Sequence, residues 1–319
     1  LWARVATLGA FEHRDEALDW YAHAGAAPLD DTQLAWKARA ALRAGRWQAV
    51  LDAIEPMSPQ AGLDLAWTYW RGRARGALGD AEGAREQYLR NAGQPLYYSE
   101  LATEELGGEA SIPLPHHEAS EAEVDAARGN VELARALELY RLGLRTEATR
   151  EWMFAVRHMG DRRLLAAAEL ARRAAIFDRA IGTANRTELL HDYRMRYPAP
   201  YRDVFREYAG AYGLEEAWVL GTVRQESRFI AEARSGSGAA GLMQILPHTA
   251  RWVARRIGDK GYSPKRVAEV ETNVSLGARY LQHVLARTGH PVLASTAYNA
   301  GPNRALRWQP AQPLEGAIF

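Results

Sequence analysis

Residues 225–247 read QESRFIAEARSGSGAAGLMQILP: one carboxylate in an apolar-periodic segment, a run of small residues, then an apolar stretch stopped by proline. The period predicts a helix over 217–230. At about 100° per residue, Val219, Val223, Glu226 and Ile230 share a narrow arc, with Arg224 and Arg228 opposite. Glu226 therefore stands where a core residue is expected. Desolvation disfavours its charged form and raises its pKa, and a carboxyl kept protonated can hand its proton to a leaving oxygen. A half-buried glutamate in an ion pair or hydrogen-bond network satisfies the same pattern.

The small side chains from Ser235 to Gly241 allow backbone to approach a ligand closely, and they also suit a flexible surface loop. Leu242, Met243, Ile245 and Leu246 are too apolar for a free linker, so the loop is expected to be pinned to a core. Pro247 suits the first turn of a helix running through Thr249, Trp252 and Val253. Gln244 is polar in an apolar run and needs partners, either a ligand or the backbone. Further on, residues 292–300 read as a short helix stopped by Gly301-Pro302. Tyr298 and Asn299 fall at its end, within reach of a cleft, although Tyr298 also fits a core position with its hydroxyl satisfied. Asn273 precedes a helix over 276–285 whose Leu276, Tyr280 and Leu281 make a packing stripe.

The run from about Arg202 to Trp308 resembles the catalytic domain of soluble lytic murein transglycosylases, itself similar to goose-type lysozyme. The matching residues are Glu226-Ser227-Arg228-Phe229, Ser235, Gly238 to Pro247, Thr249-Ala250, Asn273, Gly277, Tyr280-Leu281 and Ala297 to Pro302. The resemblance implies that Glu226 is a single catalytic acid/base. It implies that Ser235, Gly241, Met243, Gln244, Tyr298 and Asn299 line a sugar-binding groove. The implied reaction cleaves the β-1,4 bond between N-acetylmuramic acid and N-acetylglucosamine in peptidoglycan and leaves a 1,6-anhydro-N-acetylmuramic end, without cofactor or metal. A periplasmic location goes with it. In this family an acidic Glu-Thr-x-x-Tyr segment follows and completes the groove, so the resemblance implies a carboxy-terminally truncated catalytic domain. Ile230-Ala231 stands where the family often has Asn-Pro, and Leu246 where it often has Met.

Ordinary glycosidases flank the scissile bond with two carboxylates. Here Glu232, Asp259, Glu269 and Glu271 lie in polar surroundings and read as solvated. One carboxylate suffices if the sugar's own C6 hydroxyl is the nucleophile, because an intramolecular attack gains from proximity. Two other readings stay open: a lysozyme-like muramidase in which water attacks, and a non-catalytic peptidoglycan-binding scaffold.

The chain has 319 residues, 47% of them hydrophobic, with a net charge of +1, and its mean hydropathy is −0.37. That describes a globular chain long enough for two or three domains. Nothing approaches the ~20 apolar residues of a membrane span, and near-neutral charge argues against a dedicated nucleic-acid binder. There are no cysteines, hence no disulfide, thiol nucleophile or thiolate metal site. Of the nine histidines only His116-His117 adjoin, in a proline-flanked loop. Leu1-Trp2-Ala3 opens in mid-pattern and reads as a trimmed start without a signal peptide. Charge is uneven: residues 199–319 hold 15 Lys+Arg against 10 Asp+Glu, a bias that favours an acidic polymer such as peptidoglycan with its peptide carboxylates.

The first part is repetitive. Gly45 and Gly79 lie 34 residues apart, with Trp36 aligning to Trp70, Ala38 to Gly72, Ala40 to Ala74 and Val50 to Ala84. Weaker copies lie at Ala17-Tyr21 and at Gly143, Ala148 and Trp152. This period predicts stacked, tetratricopeptide-like helix pairs forming a superhelix, a surface for cell-wall enzyme partners. Pro95-Leu96-Tyr97-Tyr98-Ser99 at its end resembles the family's own superhelix. Gly107-Gly108, Pro113 and Pro115 mark a linker, and Pro198 with Pro200 breaks helices again. The expected domains are 1–120 (helical repeats), 121–198 (connecting helices) and 199–319 (catalytic). The fold class is all-α, with at most a short strand near 241–245.

Overall fold

The computed structural model describes residues 1–94, 96–109, 116–310 and 313–319; Pro95, Pro113 and Pro115 lie outside them. The described residues are helical, with isolated bridges in place of strands: Ala240 pairs singly with Arg234 and with Ile245. No described helix is long and apolar enough to cross a membrane. The chain divides into two compact units, Leu1–Pro113 with Trp308–Phe319, and Leu114–Arg307.

In the first unit, helices Asp31–Arg43 and Trp47–Ile54, then Leu65–Ala77 and Ala81–Asn91, pack as consecutive pairs. The 34-residue spacing arises at the turns. Gly45 and Gly79 sit at φ +63° and +93°. The next residue then donates back to the last turn of the helix, Arg46 N to Ala41 O at 3.0 Å and Asp80 N to Arg75 O at 2.9 Å. Gly143 (φ +76°) repeats the device in the second unit. Asp30 and Asp80 cap the following helices through Gln33 N and Gly83 N. Small residues set the spacing within a pair: a Cβ on Gly72 would stand 2.6 Å from the Tyr88 ring. Of the rings in the repeats, Tyr21, Trp70 and Trp152 are buried and Trp36 is half-buried. Near the chain's end Glu315 takes two bonds from the Arg73 guanidinium, at 2.8 and 2.9 Å, while Ala317 and Ile318 pack on this unit's core.

The second unit opens with helices Glu121–Arg128 through Phe177–Ala184, whose core includes Leu133, Trp152 and Leu164. The buried Trp152 indole donates to Thr183 Oγ1 at 2.9 Å. Beyond Tyr193–Arg196, helices Arg202–Ala211, Glu216–Glu226, Pro247–Ile257, Val270–Thr288 and Pro291–Ala300 gather around Phe205, Val219, Val223, Phe229, Leu242, Met243, Leu276 and Leu281. The helix expected to reach Ile230 stops at Glu226. Arg228 and Phe229 both take positive φ, +50° and +63°. Ser227 Oγ accepts from Phe229 N at 3.1 Å, and Phe229 enters the core beside Phe177 and Phe205. Burying that ring turns the chain away at the carboxylate and leaves Glu226 on a helix end.

Candidate active site

A cavity of about 630 Å³ is lined by Gln225 and Glu226 at the end of one helix, by Trp218 and Thr222 along it, and by Ser295, Tyr298 and Asn299 from the helix Pro291–Ala300. Trp218 Nε1 donates to Ser295 Oγ at 3.0 Å and ties the two walls together. Glu226 is half-buried, and among the described residues no donor or cation pairs with its carboxylate. Burial pushes its pKa up, with no charge partner to offset it. Tyr298 is held above the ordinary phenol range by burial first and by the Glu226 charge second. It therefore keeps its proton, which it donates to Met243 O at 2.8 Å.

The expected residues divide into two groups. Glu226, Tyr298 and Asn299 meet in the cavity. Ser235, Gly241, Met243 and Gln244 do not line it; they build the segment behind it. Ser235 Oγ accepts from Ala239 N and contacts Ser237 Oγ, closing an exposed turn. Gln244, at φ +46°, spends its amide on Ala233 O and Gly241 O, at 3.1 and 2.9 Å. Met243 is buried, its sulfur and Cβ where a Cβ on Gly277 would fall. Gly241 needs its φ of +78°, and a Cβ there would lie 2.2 Å from Asn273 Nδ2.

Asn273, named in the sequence among the residues that match the family and as preceding a packing helix, is the centre of this segment. Its amide is fully buried. It accepts from Met243 N at 2.7 Å and donates to Ala240 O at 2.9 Å and Val267 O at 2.7 Å. The signal was present: a lone amide four residues before Gly277 on an apolar helix. Trp218, Thr222 and Ser295 carried no such signal. The other carboxylates lie elsewhere: Asp259 caps Gly261 N, Glu269 pairs with Arg266, and Glu232 and Glu271 are exposed.

Among the described residues, fold and site together define a helical protein with one carboxylate, half-buried, in an open cleft. Residues 203–315 match the family described as Transglycosylase SLT domain, and residues 127–193 the Soluble lytic murein transglycosylase L domain. The soluble lytic murein transglycosylase of Escherichia coli K12 is 27% identical over 300 residues, 92% of this chain and 46% of the relative. Among solved structures, an inactive mutant of the lytic transglycosylase Slt of Pseudomonas aeruginosa superposes with a TM-score of 0.86 at 28% identity, over 99% of this chain and 52% of that one. The E. coli 70-kDa soluble lytic transglycosylase gives 0.78 at 25% identity, over 96% and 50%. Over nearly its whole length the chain is similar to soluble lytic murein transglycosylases, and it spans about half the length of the relatives it matches.

Proposed function

We propose that this chain is a lytic transglycosylase that cleaves the β-1,4 bond between N-acetylmuramic acid and N-acetylglucosamine in peptidoglycan and closes a 1,6-anhydro ring. The observation that carries the reading is the single uncompensated carboxylate of Glu226 in the cavity it shares with Tyr298 and Asn299. That one inactive relative was solved with a glutamate changed to glutamine supports it.

In this reading Glu226 enters protonated and gives its proton to the glycosidic oxygen as the C1–O bond breaks. The substrate's N-acetyl oxygen supports the cationic C1. The glutamate then takes the C6 hydroxyl proton while O6 bonds to C1, which returns Glu226 to its starting form with no water consumed. Tyr298, fixed on Met243 O, presents a neutral ring beside the carboxylate. Asn299 is exposed at the helix end, where its amide can meet the sugar's substituents. Ser235, Gly241, Met243 and Gln244 act by setting the backbone behind Tyr298. The proposed division assigns 1–120 to helical repeats open to cell-wall enzyme partners, 121–198 to a connecting domain and 199–319 to catalysis. The proposed location is the periplasm.

The test is mass spectrometry of purified sacculi digested with this chain. Anhydromuropeptides are the expected product; muropeptides heavier by one water would mean that water attacks and the chain is a muramidase, and no release would leave it a binder. Tyr298→Phe is expected to lose about 1 kcal/mol of stability through the orphaned Met243 carbonyl. Turnover should fall several-fold as the ring loosens, checked by melting and product release together.

A further inference from the structure

Helices Pro247–Ile257 and Val270–Thr288 pack together and share an outer face of rings and cations. Trp252 and Arg256 stand four residues apart on the first; Tyr280, His283 and Arg287 stand three and four apart on the second, so each set shares one side of its helix. Ring centroids lie 4.6 Å apart for Trp252–His283, 6.3 Å for Trp252–Tyr280 and 5.4 Å for Tyr280–Tyr298. Tyr298 lines the cavity that holds Glu226, so ring contacts run unbroken from the cavity to the surface. At the outer end Trp252 is 37% exposed, with the Arg256 guanidinium 5.2 Å from its ring centroid.

The cations are uncompensated. Some exposed arginines pair along their helices, as Arg90 does with Glu86, Arg141 with Glu138 and Arg172 with Glu169, while others, Arg85 and Arg150 among them, have no acidic partner among the described residues. Arg256 and Arg287 are exposed, and the residues four positions before them are Trp252 and His283. Neither arginine has an acidic partner among the described residues. His283 is held below the ordinary imidazole range by burial, then by Arg256, Arg287 and Arg279. Arg279 is already engaged with Gln282 and with the Tyr212 ring.

We propose that this face is a subsite for the carboxylate-bearing peptide substituents of the glycan strand, with Trp252 taking apolar and amide surface and Arg256 and Arg287 taking carboxylates. It rests on the peptidoglycan reading for the identity of the strand. The ring file gives it continuity with the cavity, and the unpaired positive charge gives it a sign.

The test is binding in the Glu226→Gln background, where turnover is stopped. Soluble glycan strands bearing peptides are compared with strands stripped of peptide by an amidase, using calorimetry. The chain is expected to prefer peptide-bearing strands about fivefold or more, the scale of two exposed charge contacts, and the preference should shrink as salt rises. Adding Arg256→Gln and Arg287→Gln together should erase the preference, leaving affinity for stripped strands and the melting temperature unchanged. Equal weakening on both strands, a preference that survives the substitutions, or none to begin with overturns the subsite. Digests with Glu226 intact run alongside: absence of cleavage with the preference present refutes the transglycosylase reading and leaves the subsite standing.

Discussion

Glu226→Gln is expected to abolish release of anhydromuropeptides, a loss of at least about a hundredfold, because positioned proton transfer contributes on that scale and among the described residues no second carboxylate lines the cavity. The same substitution should stabilise the fold at neutral pH. Burial raises the Glu226 pKa with no donor to offset it, so the folded chain holds this proton more tightly than the unfolded chain. Above the folded-state pKa the carboxylate is charged and desolvated, a cost absent when it is protonated. Stability from this group is thus greatest in acid, below the ordinary glutamate range, and is lost as pH rises through the raised value. Glutamine never bears the charge. The variant should melt above the parent at neutral pH, and the gap should close in acid. A variant that melts lower at neutral pH would show that the carboxylate has a stabilising partner. Activity should fall on an alkaline limb displaced upward from ordinary glutamate, reporting the same group.

How much of this was legible follows from particular residues. Gly45 and Gly79 announced the helix pairs because each is a left-handed stop that the chain reuses at a fixed interval. Pro247 and Gly301 marked helix ends for equally local reasons. Glu226 was legible because a carboxylate on an apolar arc is anomalous within a few residues of sequence. The break after it was not. Arg228 and Phe229 both adopt positive φ, which local preference argues against, and the reason lies in Phe177 and Phe205, brought near only by folding. Gln244 was open between ligand and backbone, and its amide bonds to Ala233 and Gly241 occur only once the loop has closed. Trp218 and Ser295, 77 positions apart, meet across the cavity with no trace in either local pattern.

Asn273→Ala should be the most destabilising single change in the second unit. It leaves Met243 N and Val267 O without partners in a place water does not reach, and takes from Ala240 O one of its two donors, the other being Ile245 N. At about 1–3 kcal/mol for each orphaned group, the sum rivals a large part of ordinary domain stability. Asn273→Asp separates hydrogen bonding from mere volume, since it keeps the size and the acceptor for Met243 N. Its second oxygen, when ionised, faces two carbonyls and carries a buried charge, so its folded-state pKa should be raised. The Asp variant should therefore be least stable at neutral pH and recover in acid, where its carboxyl regains one donor, while the Ala variant should show no such recovery. Melting curves at two pH values decide it: parallel behaviour would mean the amide only fills space. Gly241→Ala attacks the same contact from the other side, because its methyl would fall on the Asn273 amide. Combined with Asn273→Ala it should cost less than the two single effects together, the shortened side chain leaving room for the methyl. Activity should fall in each variant by more than the unfolded fraction accounts for. The Tyr298 hydroxyl rests on the carbonyl of Met243, and the N–H of that same residue is held by Asn273. Release of the amide lets the seat of Tyr298 move, and with it the ring that stands beside Glu226.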